Sequence, residues 1–225
     1  MIAIGVRTGA MALVTLAVTG CMLARQSTPV TILAPQVQVS PAADWPTVQW
    51  SLSIERPRSD ALRDSTRVLV HVPPSEMRVY PRVSWLEPVP DLLQSVLLQA
   101  FEDSGRITAV GRAGTQRSRY RLHLELRRFE AVEQATGLEA DVEVHAKLIL
   151  NRNGQIVAAA RFRRTAAAGD QAPDLVNAFQ ATLAGLAREV VGWTLATGEA
   201  DARPNAEPDP GSVPADDHDP SAATR

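Results

Sequence analysis

Two stretches in the second half of the chain alternate between apolar and polar residues with a period of two. Their apolar positions are Tyr120, Leu122, Leu124 and Leu126 in the first, and Val142, Val144, Ala146, Leu148 and Leu150 in the second. That period is typical of a β-strand with one buried face and one face in water. Because such strands must cover their apolar face, the pattern predicts one antiparallel sheet backed by a second layer.

The residues next to these stretches indicate how the strands are joined. Residues 151–154, Asn-Arg-Asn-Gly, are typical of a tight turn, and residues 155–164 can pair back as a third strand. The alternation of the first stretch slips at Arg128 and Phe129, which predicts a bulge there.

Two other segments carry apolar residues at helical spacing. The first begins near Pro90 and ends near Gly105, and Asp91 and Gln94 are placed to form a capping box at its start. The second spans residues 174–193. Shorter strands are predicted over residues 30–33, 47–55, 67–72, 77–80 and 107–110. We therefore predict an α+β fold, a mainly antiparallel β-sheet with two amphipathic helices packed on one face.

The composition predicts a folded domain followed by a polar tail. Of the 225 residues, 45% are hydrophobic and 21% are charged, and the formal net charge of -2 gives no reason to expect a nucleic-acid partner. Residues 198–225 carry prolines at positions 204, 208, 210, 214 and 220 among acidic residues, a composition typical of disorder. We predict one domain over residues 30–197 and a disordered acidic tail over residues 198–225.

The N-terminal residues have the pattern of a bacterial lipoprotein signal. The only cysteine, Cys21, follows two small residues, and Arg7 precedes the apolar residues 8–17, a segment too short to cross a bilayer. We therefore predict that residues 1–20 are removed as a signal peptide and that Cys21 carries acyl chains such as palmitate. Two alternatives remain open, namely an ordinary cleaved signal and a free thiol buried in the core.

Residues 21–29 would then form a tether between the acylated cysteine and the domain. Two or more acyl chains hold a protein stably on a membrane. Met22 follows the cysteine, at the position where an aspartate would favour retention at the inner membrane in many Gram-negative bacteria. We therefore predict the periplasmic face of the outer membrane, with the inner membrane as the alternative.

The sequence contains no arrangement of residues that predicts catalysis. Three of the four histidines, His71, His123 and His145, fall in predicted strands, and His218 lies in the tail, so no pair has the spacing of a metal site on one element. The carboxylates that could be imagined as an acid–base pair are Glu125, Asp141 and Glu143. Charges on an exposed strand face usually pair across the sheet. We expect no enzyme activity, no cofactor and no metal.

The segment over residues 77–89 places aromatic residues and prolines in a predicted loop before the first helix. Its candidate residues for contact with a partner, or for self-association, are Tyr80, Trp85 and Leu86. The loop either packs over the core or contacts a partner. Packing is the favoured interpretation, and the apolar Leu86 keeps the partner interpretation open.

An ordered set of residues resembles the ABC-type transport auxiliary lipoprotein family, the family of the paraquat-inducible operon's lipoprotein. The set consists of Trp50 and Leu52, then Arg67, Val70, Val72, Pro73, Met77, Tyr80 and Trp85, then Pro90, Leu92, Leu93, Leu97, Ala100, Phe101, Ser104 and Gly105, then Tyr120, Leu122, Leu124, Leu126, Phe129 and Glu130. With the closing helix, the resemblance covers about residues 28–196 and leaves out the tail.

The resemblance implies a non-enzymatic periplasmic component of an envelope transport system for lipids or other hydrophobic solutes. Its partners would be an ABC permease and ATPase and an MCE-domain protein that binds lipid, and homo-oligomers are possible. A lipoprotein chaperone or assembly factor for an outer-membrane component is the alternative function. A periplasmic hydrolase is disfavoured because no catalytic constellation was found.

Overall fold

The computed structural model describes residues 29–115, 117–169 and 171–203. Within these ranges the chain forms eight strands and two helices. Their order is β1 (Thr31–Leu33), β2 (Leu52–Ile54), β3 (Arg67–Val72), β4 (Glu76–Trp85), α1 (Val89–Asp103), β5 (Val110–Arg112), β6 (Tyr120–Gln134), β7 (Gly137–Leu150), β8 (Gln155–Ala168) and α2 (Ala172–Ala202). The fold is α+β, as predicted.

The long strands β6, β7 and β8 form the antiparallel meander that the alternation predicts. Leu124 of β6 lies opposite Ala146 of β7, which in turn lies opposite Ala160 of β8. The register of β6 shifts between Leu126 and Arg128, which confirms the bulge expected where the alternation slips. The apolar positions of β6 and β7 are buried because a period of two places them on one face.

The prediction of a mainly antiparallel sheet is wrong, because the sheet is mixed. β2 pairs in parallel with both β5 and β6, β3 pairs in parallel with β6, and β1 pairs in parallel with β4. The strand order is β1-β4-β3-β6-β2-β5, with β7 and β8 continuing from β6. These short strands reach the sheet through long connections, which allow parallel pairing, whereas tight hairpins impose antiparallel pairing.

Helix α1 begins without the capping box that the sequence suggested. Its N-cap is Pro88, and no side chain caps the helix start. The amide of Gln94 is buried instead and donates a hydrogen bond of 2.9 Å to the carbonyl oxygen of Ile54. This contact satisfies the buried side-chain amide of Gln94, since the carbonyl oxygen of Ile54 also accepts a hydrogen bond of 2.9 Å from the N–H group of Ala113.

Helix α2 extends to Ala202, past the predicted domain boundary at residue 197. Residues 198–202 were expected to belong to the disordered tail, but Gly198 is buried and Tyr120 donates a hydrogen bond of 2.6 Å to Asp201. The remaining tail residues 204–225 and residues 1–28, including Cys21, lie outside the described residues. None of the helices in the described ranges is long and apolar enough to cross a membrane.

Both helices and the sheet contribute to a single apolar core. At its centre the rings of Trp85, Phe129 and Phe179 pack within 4.9–5.4 Å of each other, centroid to centroid. These rings come from β4, β6 and α2, so one aromatic cluster joins the layers of the fold.

Candidate functional site

The segment that sequence analysis predicted as a loop, between Tyr80 and Trp85, is the second half of strand β4. Its neighbour is β1, with Thr31 opposite Val83 and Leu33 opposite Trp85. The N–H group of Leu86 extends this contact by donating a hydrogen bond of 3.0 Å to the carbonyl oxygen of Leu33. The candidate residues therefore lie beside the β1 edge of the sheet.

Trp85 is a core residue, with a side chain that is only 2% exposed. Its ring meets Phe129 and Phe179 edge to face, and a partner of the folded domain cannot reach it. Direct partner contact by Trp85 is therefore wrong, and the packing interpretation holds. The strand alternation is the reason, since it turns Trp85 inward together with Val83. Tyr80 is half-buried and packs against the same core.

Leu86, unlike Trp85, lies on the surface, and its side chain is 64% exposed. Ile32, which is 61% exposed, lies in β1 opposite Ser84, two residues before Leu86, and Val30, which is 58% exposed, directly precedes β1. We call Val30, Ile32 and Leu86 the edge surface. Since β1 is the terminal strand of the described sheet, the edge surface combines exposed apolar side chains with an unpaired strand edge.

Sequence analysis missed Val30 and Ile32 as surface residues. They were assigned to a predicted strand, and a three-residue strand is too short for alternation to show which side chains face outward. Leu86 was found because an apolar residue stood in a segment that otherwise predicted a loop.

The strand-face carboxylates are held by basic side chains. Asp141 is fully buried, and its carboxylate lies 2.8 Å from Arg163 Nε and 3.4 Å from Arg128 Nη1. The carboxylate of Glu143 lies within 4.0 Å of the same two arginines. This arrangement confirms the expected pairing across the sheet. The hydrogen bond that Arg163 donates to Asp141 raises the pKa of the Arg163 guanidinium, so the arginine keeps its charge beside the buried carboxylate.

Glu125 is paired in the same way, because Lys147 Nζ lies 3.1 Å from its carboxylate. The hydrogen bond from Lys147 lowers the pKa of Glu125. His123 Nδ1 lies 2.6 Å from Glu55 Oε2, while His71 is paired opposite Met77 in another part of the sheet and His145 lies opposite Arg161. Within the described ranges, no group of three or more histidine, cysteine, aspartate or glutamate residues could hold a metal ion. His218 lies outside those ranges.

Comparison with known proteins identifies a family. The model of a family described as "ABC-type transport auxiliary lipoprotein component" matches residues 31–191, from the start of β1 to the middle of α2. The match therefore covers all eight strands, helix α1 and most of helix α2, and it includes Ile32 and Leu86 of the edge surface.

Individual proteins support the same similarity. A crystal structure of a protein from Xanthomonas campestris is 36% identical in sequence, with a TM-score of 0.73 over 76% of this chain and 98% of that one. A second solved structure, of an uncharacterized protein, shares the fold at 12% identity, with a TM-score of 0.54 over 73% of this chain and 97% of that one. An uncharacterized protein of Bradyrhizobium diazoefficiens is 30% identical over 166 residues, which cover 70% of this chain. The aligned part is 42% of that longer relative.

Proposed function

Because this chain belongs to the ABC-type transport auxiliary lipoprotein family, we propose that it is the anchored, non-enzymatic periplasmic component of an ABC/MCE-type envelope transport system for lipids or other hydrophobic solutes. The observation that carries this proposal is the family match over residues 31–191, which spans the whole sheet. The pairing of the strand-face carboxylates with basic residues supports a role in binding over a role in catalysis.

The proposed anchor is Cys21, acylated and inserted in the outer membrane from its periplasmic face. Eight residues separate Cys21 from Val30, so the fully extended chain between them spans at most about 32 Å. The domain is therefore held close to the bilayer, and the chain enters it through β1. The edge surface lies at this entry point, beside the proposed anchor.

The proposed docking site for the MCE-domain protein is the edge surface of Val30, Ile32 and Leu86. An unpaired strand edge offers backbone hydrogen bonds, and the exposed apolar side chains offer area to bury. A partner that covers this edge would also protect it from aggregation, to which exposed edge strands are prone.

Affinity purification of the tagged protein from detergent-solubilised membranes tests the partnership. We expect the MCE-domain protein and the permease to co-purify, and Leu86→Asp to abolish their recovery because it places a charge in the docking site. The matched control is Ile156→Asp on β8, where the native side chain is 53% exposed but lies outside the edge surface. If both variants retain the partners, the edge surface is not the docking site. Recovery of an outer-membrane barrel protein alone would favour the assembly-factor alternative.

Replacement of the proposed lipid attachment site tests the anchor. We expect Cys21→Ser to release a folded domain from the membrane fraction, with loss of transport. Separation of inner and outer membranes by density then tests the predicted location of the wild-type protein. Full transport by a released Cys21→Ser protein would show that the anchor is dispensable.

A further inference from the structure

A cavity of about 790 Å³ lies on the face of the sheet opposite the helices, at the start of β6. Ser53 of β2 and Arg121 of β6 are register partners and form its floor, because their neighbours in both strands point into the core. The segment before β6 and the turn after β7 form its walls. The cavity is separate from the edge surface and from the paired carboxylates.

The walls of the cavity concentrate positive charge. Arg117, Arg119, Arg121 and Arg152 line it, against the single carboxylate of Glu55. That carboxylate is shared, since one oxygen lies 3.4 Å from Arg121 Nη1 and the other 2.6 Å from the ring of His123.

Most of this charge is not neutralised by the protein. Within the described ranges, Arg117 and Arg152 form no ion pair. Arg119 contributes little to this charge, because its Nε donates to the hydroxyl of Tyr120 at 3.1 Å, on the side of the sheet that packs against α2. Arg121 Nε is buried and has no hydrogen-bond partner among the residues that the structure describes. The Arg121 side chain as a whole is 42% exposed, so the rest of its guanidinium can donate to an anionic ligand in the cavity, whereas the buried Nε stays out of a ligand's reach.

A chain of hydrogen bonds leaves one neutral donor, the Ser53 hydroxyl, in the same cavity. Asn151 Nδ2 donates to the carbonyl oxygen of Ser118 at 2.9 Å and to Ser118 Oγ at 2.8 Å. A carbonyl only accepts, so these bonds determine the orientation of the Asn151 amide. Ser118 Oγ then donates to Ser53 Oγ at 2.9 Å, which leaves the Ser53 hydroxyl proton for a ligand.

We propose that this arginine-lined cavity binds the phosphate group of a small phosphate ester. Guanidinium groups bind phosphate oxygens through paired, charge-assisted hydrogen bonds, and several arginines can share the oxygens of one phosphate. The cavity volume lies in the range of small-molecule sites, so it accommodates more than inorganic phosphate. The same chemistry fits a phospholipid headgroup and a soluble phosphate ester.

The sheet topology places this cavity away from the proposed anchor. β1 runs parallel to β4, β4 antiparallel to β3, and β3 parallel to β6, so β1 runs opposite to β6. The residues before Thr31 therefore lead toward the end of β6 that is remote from the cavity. The cavity therefore lies at the other end of β6 from the point where the chain enters β1.

Binding is tested with the detergent-solubilised full-length mature lipoprotein at constant ionic strength, by calorimetric titration. The probes are inorganic phosphate, glycerol 3-phosphate, dihexanoyl phosphatidylglycerol below its micelle concentration, and sulfate. We expect saturable binding of the phosphate esters. If the short-chain lipid binds more tightly than glycerol 3-phosphate, the natural ligand is a lipid headgroup. If glycerol 3-phosphate binds more tightly, the natural ligand is a soluble phosphate ester. No saturable binding of any phosphate probe, or equal binding of sulfate, overturns the proposal.

The double variant Arg117→Gln/Arg152→Gln tests whether the cavity is the site. It removes two arginines that form no ion pair among the described residues, so folding should not change. We expect the affinity for the phosphate ester to fall by about tenfold or more, as the loss of charge-assisted hydrogen bonds predicts. Arg78→Gln is the matched control, because Arg78 is an exposed arginine on β4, outside the cavity. If the double variant and the Arg78→Gln control bind the phosphate ester with equal affinity, the cavity is not the phosphate site.

The experiments can overturn the docking site on the edge surface and the phosphate site in the cavity independently of each other. Loss of phosphate binding in the double variant with normal co-purification of the MCE-domain protein would support the cavity as a separate site. If the wild-type protein recovers its partners but does not bind phosphate, only the cavity proposal is overturned. If it binds phosphate but does not recover the expected partners, only the docking proposal is overturned.

Discussion

The indole ring of Trp50 occupies the space that a side chain at Gly198 would need. A Cβ atom at Gly198 would lie 2.5 Å from Cζ2 of Trp50, closer than van der Waals contact allows. Trp50 lies two residues before the start of β2, and Gly198 belongs to the last turns of α2. The absence of a side chain at Gly198 therefore allows the end of α2 to pack on the sheet.

Alanine at Gly198 should destabilise the domain, although alanine favours helices. We expect Gly198→Ala to lower the free energy of unfolding by about 1–3 kcal/mol, because Trp50 must move. Gly185→Ala in the same helix is the control, since its Cβ would lie 3.7 Å from the flexible side chain of Arg164. That variant should be unchanged or more stable by up to about 1 kcal/mol. Urea unfolding measures both, and equal effects would contradict the packing argument.

The buried ion pair between Arg63 and Glu130 should be necessary for stability. Arg63 Nη2 lies 2.9 Å from Glu130 Oε2, and the Glu130 side chain is only 3% exposed. Removal of one partner leaves a buried charge uncompensated, so Arg63→Met should cost about 3 kcal/mol or more. The exposed pair of Arg78 and Glu76 provides the contrast, and Arg78→Met should leave the urea midpoint unchanged. A small effect of Arg63→Met would show that Glu130 is solvated in the folded protein.

Tyr120 should ionise only at strongly alkaline pH. Burial, together with the hydrogen bond to Asp201, raises the pKa of Tyr120 to about 12 from its ordinary value of 10.0. Because the pKa is raised in the folded state, the stabilisation is complete below pH 10.0 and is lost as the pH rises from there to about 12. Tyr80→Phe leaves Tyr120 as the only tyrosine, so its tyrosinate absorbance reports the titration directly.

The same titration separates the two causes of the shift. Asp201→Asn should lower the pKa of Tyr120 but leave it above 10.0, because burial makes the larger contribution. A midpoint near 10.0 in the folded Tyr80→Phe protein would contradict the burial of the hydroxyl group.

Substitution by alanine should lower the stability strongly at Trp85 but hardly at the adjacent Leu86. Trp85→Ala should reduce the free energy of unfolding by about 3–5 kcal/mol, because it removes the ring that packs edge to face against both Phe129 and Phe179. Leu86→Ala should change it by about 0.5 kcal/mol or less, because that side chain is exposed. Thermal or urea unfolding measures both. Comparable losses in the two variants would contradict the alternation of β4 at this position.

The sequence alone was sufficient wherever the determining interactions are local. The period of two in β6 and β7 identified the strands, their buried faces and the bulge after Leu126. The helical spacing after Pro90 identified α1, and the ordered set of residues identified the family. The strands, the bulge and the helix depend on the residues of one element or of two elements joined by a short turn, whereas the family resemblance uses the order of residues along the chain.

Tertiary structure decided the features that depend on residues distant in the chain. Parallel pairing of β2 with β6, the inward position of Trp85 and the packing of Gly198 on Trp50 each join segments separated by long connections. The arginines of the cavity are spread over two segments, and none of them stands in a motif. Local periodicity determines which face of an element is apolar, but only the packed fold determines what that face contacts.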